Sequence, residues 1–438
     1  MGLSGSFLYA NDTAGAYPTS YYHATADYLP EFPSLHESIR CDVCVIGGGY
    51  MGLSAALHLR KRGYSVALLE AHRLGWGASG RNGGQLGSGQ RREVDDLEAM
   101  VGRERAQALW QVGEASKALV KELIAEHGIA CDLKPGIFYA DHKRRYTAHS
   151  RALVEKMQRD YSYNELEFLA EADTRALVGS NAYYSGTLDH GAAHLHPLNF
   201  ALGLARAATA AGTRIFEGTQ VTEIGSGSPA TVRTHAGAEV TADQVVYACN
   251  GYLESLNGHV ADRVMPMNNF MIATEPLSDT DARALIARDV AVADSKFVIN
   301  YFRLSADNRL LFGGGENYSF QFPKDIKGFV RKPLLEIYPQ LRDVRLDYGW
   351  GGTLGITMNR LPFFTQLAPN QWSAGGFSGH GVGMATLAGQ LVAEAIDGHM
   401  SRFDIMQAIP THVFPGGRHL RWPLMVLGML YYALRDRL

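Results

Sequence analysis

The sequence predicts an α/β chain in which a Rossmann-like dinucleotide-binding domain is interleaved with a mixed β-sheet domain for substrate. Three observations predict it. The run Asp42-Val43-Cys44-Val45-Ile46 reads as a buried strand that turns through Gly47, Gly49 and Gly52 into a helix ending at Lys61. A second apolar strand, Ser65 to Leu69, ends at Glu70. Near the other end, Trp372 to Gly383 is again a strand breaking into glycines before a helix, Met384 to Ile396.

Each part of the first unit has a physical reason. Gly47 permits the tight turn, Gly49 lets backbone approach a pyrophosphate, and Gly52 lets helix pack closely on strand. The helix, Leu53 to Lys61, offers unpaired N–H groups at its N-terminus to phosphate. Glu70 is placed to accept hydrogen bonds from ribose hydroxyls and to repel a 2′-phosphate. The second turn aims another helix N-terminus at a delocalised anion such as a reduced isoalloxazine, so the pair points to FAD.

The length of 438 residues suits two domains. With 46% hydrophobic and 19% charged residues and a formal net charge of −3, nothing suggests nucleic acid as a partner. Four cysteines without framework spacing fit a reducing compartment, and a cytoplasmic location is expected. Cys41 and Cys44, three apart on a strand, are expected to point to opposite faces and not to pair. The first twenty residues show no signal-peptide pattern. The apolar run Trp422 to Leu434, flanked by arginines, is shorter than the roughly 20 residues that span a bilayer. It reads as an amphipathic helix that docks on the protein or touches a membrane surface peripherally.

Along the chain, residues 1–39 form an irregular arm. Residues 40–92, 186–255 and 350–400 are assigned to the FAD-binding domain, 93–185 and 256–349 to the cap and substrate domain, and 401–438 to a tail. The loop Leu74 to Gln85, with five glycines and one arginine, follows the ribose-binding acid and is expected along the dinucleotide. Residues 93–128 have helical periodicity, Cys131 to Ala140 is strand-like with a turn at Pro135-Gly136, and 146–178 return to helix. Three histidines, His190, His194 and His196, lack a carboxylate or cysteine at ligand spacing, so no metal is expected. Strands follow over Gln244–Tyr247, Phe270–Thr274, Phe297–Leu304, Arg309–Phe312 and Arg345–Thr353. On one of them Tyr301 and Arg303 share a face opposite Asn300 and Phe302.

These residues resemble the D-amino-acid-oxidase-type flavoproteins, the branch with sarcosine, glycine and pipecolate oxidases, and within it the bacterial gamma-glutamylputrescine oxidase group. The carriers are Ser20-Tyr21-Tyr22, Cys41 to Gly52, Gly77-Ala78-Ser79-Gly80-Arg81-Asn82-Gly83-Gly84-Gln85 and His196-Pro197-Leu198-Asn199. Further carriers are Ala306 to Leu311 before three glycines, Ser378-Gly379-His380-Gly381-Val382 and Phe414-Pro415-Gly416-Gly417-Arg418. The resemblance implies FAD lying extended, with a mixed sheet over its reacting face. Some relatives tether FAD through a late cysteine, but none follows Cys249 here; others use a histidine in the loop, where Arg81 and Asn82 stand. Non-covalent FAD is therefore expected.

The implied reaction oxidises a C–N bond of a small amine or amino acid by hydride transfer to flavin N5. The resulting imine hydrolyses, and O2 is reduced to H2O2. A linear amine such as gamma-glutamylputrescine and a cyclic secondary amino acid such as L-pipecolate both fit, as does a membrane-associated dehydrogenase feeding a quinone. An NAD(P)H-using monooxygenase is disfavoured, because Gly375-Gly376-Phe377-Ser378 lacks the Gly-Asp pair such enzymes carry. The cofactor candidates are Gly47, Gly49, Tyr50, Met51, Gly52, Glu70, Ala78, Ser79, Arg81, Asn82, Gly83, Gly84 and Gln85. To these are added Val221, Asn250, Gly251, Gly379, His380, Gly381 and Val382. His380, Tyr301 and Trp350 are the catalytic candidates, and Tyr301, Arg303 and Arg360 the substrate ones, an arginine being able to hold a carboxylate bidentately. Lys296 is a weaker candidate for a charge that assists oxygen reduction.

Overall fold

The computed structural model describes residues 6–317 and 319–417. The C-terminal apolar run falls outside them. Among the described residues two sheets carry the fold, one of eight strands and one of nine.

The first sheet runs in the order Phe363–Ala368, Gln371–Gly375, Glu239–Tyr247, Ile39–Ile46, Val66–Leu69, Arg214–Phe216. Its central pairs are parallel, and Phe363–Ala368 adds an antiparallel edge. Ile39–Ile46 is apolar on both sides because helices cover both faces. Tyr50–Lys61, Pro197–Ala210 and Gly381–Ile396 form one layer. Gly389 makes their approach possible, since a Cβ there would lie 2.4 Å from the Met51 carbonyl oxygen.

The second sheet runs Leu346–Ile356, Met265–Thr274, Leu310–Asn317, Tyr301–Leu304, Ala291–Asp294, Lys134–Asp141, Ser185–His194, Gln85–Leu86. It is mixed: Ala291–Asp294 runs parallel to Lys134–Asp141, and the other pairs are antiparallel. One face packs Phe138, Phe270, Phe302 and Phe312 against the helix Ile326–Ile337. The other face turns toward the first sheet. Cross-strand partners place Thr187, Tyr139, Ala293, Tyr301, Gly313, Met271 and Trp350 in one row on that face.

Several expectations are corrected. The histidine-bearing segment is a strand, Ser185–His194, and belongs with Leu346–Ile356 to the second sheet, although parts of both fall in segments assigned to the nucleotide domain. Pro135-Gly136 is no turn but an irregularity inside Lys134–Asp141, where the register shifts between Pro135 and Ile137. The helical stretch is two helices, Val94–Val101 and Arg103–Glu126, separated by Gly102 at φ +82°. A strand, Leu166–Leu169, interrupts the second helical stretch. Cys41 and Cys44 lie in the same core layer, because the N–H groups of Asp42 and Val43 both reach the Ser65 carbonyl and shift the alternation by one residue. Both thiols are free and buried.

Candidate functional site

Between the sheets lies a continuous cavity of about 1280 Å³. Pockets for a drug-sized ligand run to about 1,000 Å³, so this one has room for an extended dinucleotide and a substrate.

At one end the first glycine turn forms the wall. Gly47 adopts φ +110°, and a Cβ there would meet the Ala248 carbonyl at 2.8 Å. A Cβ on Gly52 would sit 1.9 Å from the Gly47 carbonyl oxygen, so this glycine serves the packing of helix on strand and does not line the cavity. Gly49 does line it, but the atom its Cβ would crowd is Ser79 Oγ, at 2.9 Å. That hydroxyl accepts the Tyr50 N–H at the helix N-terminus, 3.0 Å away. Tyr50 and Met51 complete this wall.

Glu70 stands at the same end. Its Oε2 accepts the Gly48 N–H at 2.6 Å and its Oε1 the His72 N–H at 2.8 Å. Burial pushes its pKa up to about 7, against the lowering effect of those two bonds. A carboxylate held by backbone beside a phosphate-sized glycine turn is what a ribose requires. Val221 and Asn250 line the cavity near it. Gly251 does not: a Cβ would meet the Leu354 carbonyl at 2.6 Å, so it serves close packing.

The middle wall is the glycine-rich loop, through Ala78, Ser79, Arg81, Asn82, Gly83 and Gln85. Asn82 folds it, donating to the Ala78 and Ser79 carbonyls at 3.0 Å and accepting the Gly84 N–H at 2.8 Å. Gly84 thereby turns away from the cavity. Gln85 reaches across to the Val292 carbonyl at 2.9 Å, tying the loop to the second sheet. Arg81 is buried and stacked over the Trp76 ring at 4.4 Å, and its Nη2 has no hydrogen-bond partner among the described residues. The helix N-terminus at Tyr50 and the Arg81 guanidinium set in this loop bring positive charge to this part of the cavity, which fits an oxygen-rich ligand. The donor set therefore fits FAD.

At the far end Gly379, His380, Gly381 and Val382 line the cavity at the start of the helix Gly381–Ile396. His380 Nε2 donates to the Gly89 carbonyl at 3.1 Å. Burial, then the charge of Arg91, brings its pKa down to about 4, so at neutral pH the ring is uncharged. Opposite stand two tyrosines of the cross-strand row. The Tyr301 ring is pressed between glycines, since a Cβ on Gly83 would lie 2.7 Å and one on Gly313 2.1 Å from it, and its hydroxyl donates to Asn269 Oδ1 at 2.5 Å. Tyr139 faces His380 across Gly87, where a Cβ would meet the Tyr139 hydroxyl at 2.8 Å and His380 Cε1 at 2.9 Å. Burial raises the Tyr139 phenol, keeping it neutral.

Two candidates are displaced. Trp350 shares the row, but it is buried beneath the loop, donates Nε1–H to the Arg81 carbonyl at 3.0 Å, and does not line the cavity. It braces Arg81. Arg303 is also off the wall and buried, donating to the carbonyls of Gly83 (2.9 Å), Leu195 (2.8 Å) and Leu304 (3.2 Å), so it holds backbone and no substrate. Arg360 does line the cavity, at φ +64°, with its guanidinium 5.7 Å from the Phe297 ring. Lys296 lines it too, its ammonium 3.2 Å from Glu336. Tyr139 was missed. Its strand was recognised, but only sheet register sets it beside Tyr301.

The histidines have other work. His190 pairs with Glu167 at 2.9 Å, His194 bonds the Asp289 carbonyl, and His196 Nδ1 accepts the Asn199 N–H as a helix cap. Among the described residues no group of three or more His, Cys, Asp or Glu is disposed to hold a metal, and no helix is long and apolar enough to cross a membrane.

Residues 42–395 match the family described as DAO, FAD dependent oxidoreductase. The chain is 42% identical over 421 residues to gamma-glutamylputrescine oxidoreductase of Escherichia coli (strain K12), covering 96% of this chain and 98% of that protein. Glycine oxidase from Geobacillus kaustophilus superposes with a TM-score of 0.71 at 22% identity, over 85% of this chain and 99% of that one. L-proline dehydrogenase from P. horikoshii gives 0.68 at 21%, over 85% and 96%. Both share the fold. The cavity, its two glycine turns and the full-length match agree: the chain is an FAD-dependent oxidoreductase of the DAO family.

Proposed function

We propose that this enzyme oxidises the C–N bond of a small amine, of the gamma-glutamylputrescine kind, with FAD bound non-covalently. The observation that carries the reading is the near full-length match to gamma-glutamylputrescine oxidoreductase, over 96% of this chain. The lining supports it with the neutral phenol of Tyr139 and a neutral imidazole around the far end of the cavity. Bound FAD would accept a hydride from the carbon bearing nitrogen and pass the electrons to O2, giving H2O2.

The protein's part is to keep the amine neutral and oriented. Its lone pair must be available to stabilise the developing iminium, and removing the amine from water disfavours the ammonium form. Tyr301 donates its hydroxyl proton to Asn269 and presents its phenol at the cavity wall beside the amine. Tyr139 and His380 close the other side, while Arg360 at the wall suits a substrate carboxylate. The imine then hydrolyses to aldehyde and ammonia. In this division of labour the first sheet holds cofactor and the second covers the reacting face. Gly47, Glu70 and Ser79 hold the ADP half, and Gly379 to Val382 the flavin's pyrimidine end.

The test is an anaerobic titration of the purified protein with gamma-glutamylputrescine and, separately, L-pipecolate, followed by the visible flavin absorption. Bleaching with the first, then O2 uptake with peroxide, is expected. Bleaching with pipecolate alone overturns the substrate class; turnover with dyes but not O2 overturns the acceptor. Flavin that survives in precipitated, acid-denatured protein would overturn non-covalent binding.

A further inference from the structure

The arm ahead of residue 42 lies outside the span that matches the family, yet one of its residues reaches the cavity. Leu8 is part of the cavity wall. Its N–H donates to Glu254 at 3.2 Å, and its carbonyl accepts Nε2–H of His72 at 2.9 Å. Tyr9 donates to Gln220 at 2.9 Å, beside Val221 at the nucleotide end. Gly15 donates its N–H to the other nitrogen of His72 at 3.1 Å, and the Ala16 carbonyl accepts the Trp76 indole N–H at 3.0 Å. The His72 ring stacks flat on Trp76, with centroids 3.7 Å apart and planes at 3°. A strap of about a dozen residues is thus held at both ends by the loop that lines the cavity.

At its centre is Asp12. The Arg81 side chain is 1% exposed, and Asp12 Oδ2 accepts its Nη1–H at 2.9 Å. The Trp76 carbonyl accepts Nε–H at 2.6 Å, and the Gly351 carbonyl accepts from Nη1 at 3.1 Å. Nη2 is left without a partner among the described residues, and the whole guanidinium is sealed behind the loop that lines the cavity. A buried guanidinium needs a counter-charge, and Asp12 supplies it.

We propose that residues 6–17 brace the FAD site, reaching its wall through Leu8, and that Asp12 is a positioning residue, holding Arg81 and with it the cofactor-lining loop Ala78 to Gln85. The proposal rests on FAD occupying this cavity. Strap and cofactor then stabilise one another: the strap fixes the loop that lines the cavity, and the ligand packed on that loop holds in place the arginine that anchors the strap.

The experiment starts from full-length wild-type protein with flavin bound, so a failure of the cofactor reading is seen first, as absent flavin that added FAD does not restore. Release into FAD-free buffer is followed by the rise of flavin fluorescence for wild type, Asp12→Asn and Asp12→Glu. Asp12→Asn is expected to release flavin about tenfold faster or more, with Asp12→Glu between it and wild type. The unfolding temperature of the flavin-free proteins is expected to change less than that of the loaded ones. A second measurement needs no variant. Chymotrypsin should cut after Tyr9 and Tyr17 more readily in flavin-free than in loaded wild type. Wild-type release from Asp12→Asn, or equal cutting with and without FAD, would overturn the proposal.

Discussion

At the nucleotide end, the cavity wall is mostly backbone from one stretch of chain, Gly47 to Met51, followed by Glu70 and the loop to Gln85. At the reacting end it is made of side chains, with Tyr139, Ala293, Tyr301 and His380 delivered by four separate segments. The first end works by what glycine lacks, since backbone must approach backbone and ligand. The second works by register, since a one-residue slip in any strand would turn its residue to the opposite face. A local stretch of sequence can specify the first kind of wall, whereas the second exists only once the sheet is paired.

Substitutions should separate the two ends. Gly52→Ala forces a Cβ to 1.9 Å from the Gly47 carbonyl oxygen, and folded, flavin-bearing protein should be lost, a cost of about 3 kcal/mol or more. Recovery of wild-type flavin content on purification would break the comparison. Arg303→Leu leaves the buried carbonyls of Gly83 and Leu195 without their donor, at about 3 kcal/mol. Its unfolding temperature should fall while KM for the amine stays within about twofold, as removal of uniform binding is absent. A large rise in KM with unchanged stability would return Arg303 to the substrate.

Tyr301→Phe should bind FAD normally and lower kcat/KM about tenfold, or about 1.4 kcal/mol, because only the hydroxyl facing the amine is removed. Equal kinetics for mutant and wild type would discard the phenol's role. The smallest effect is a pH dependence at Glu70. Its folded pKa of about 7 lies above the ordinary 4.5, so the flavin-free protein loses stability as pH rises from about 4.5 through 7. Ribose hydroxyls donating to the carboxylate favour its ionised form, so FAD binding should release a proton and tighten by a few-fold from about pH 6 to about pH 8. Glu70→Gln should flatten that slope. Calorimetric Kd values independent of pH in the wild type would remove the argument.

Much of this was legible before folding. Gly47, Gly49, Glu70 and much of the loop from Trp76 to Gln85 line the cavity, because each is positioned by neighbours a few residues away. Tyr301 was placed on the correct face by strand alternation, with Phe302 on the opposite, core face. The failures share a cause. Arg303 alternates in phase with Tyr301, but three carbonyls from neighbouring segments claim its guanidinium. Trp350 is likewise claimed by the Arg81 carbonyl. Cys41 and Cys44 were assigned to opposite faces by a period that a bulge at Asp42-Val43 interrupts, and periodicity carries no signal of a bulge.

The sequence by itself determined that a dinucleotide is held, because turn geometry, helix termini and a carboxylate after a strand are local physics. Tertiary structure alone decided which tyrosines share a row on one sheet face, which arginines are spent on backbone, and that Leu8 of the arm reaches the cavity wall. Those outcomes depend on strand pairing and on competition for buried hydrogen-bond donors, and both are settled only when distant segments meet.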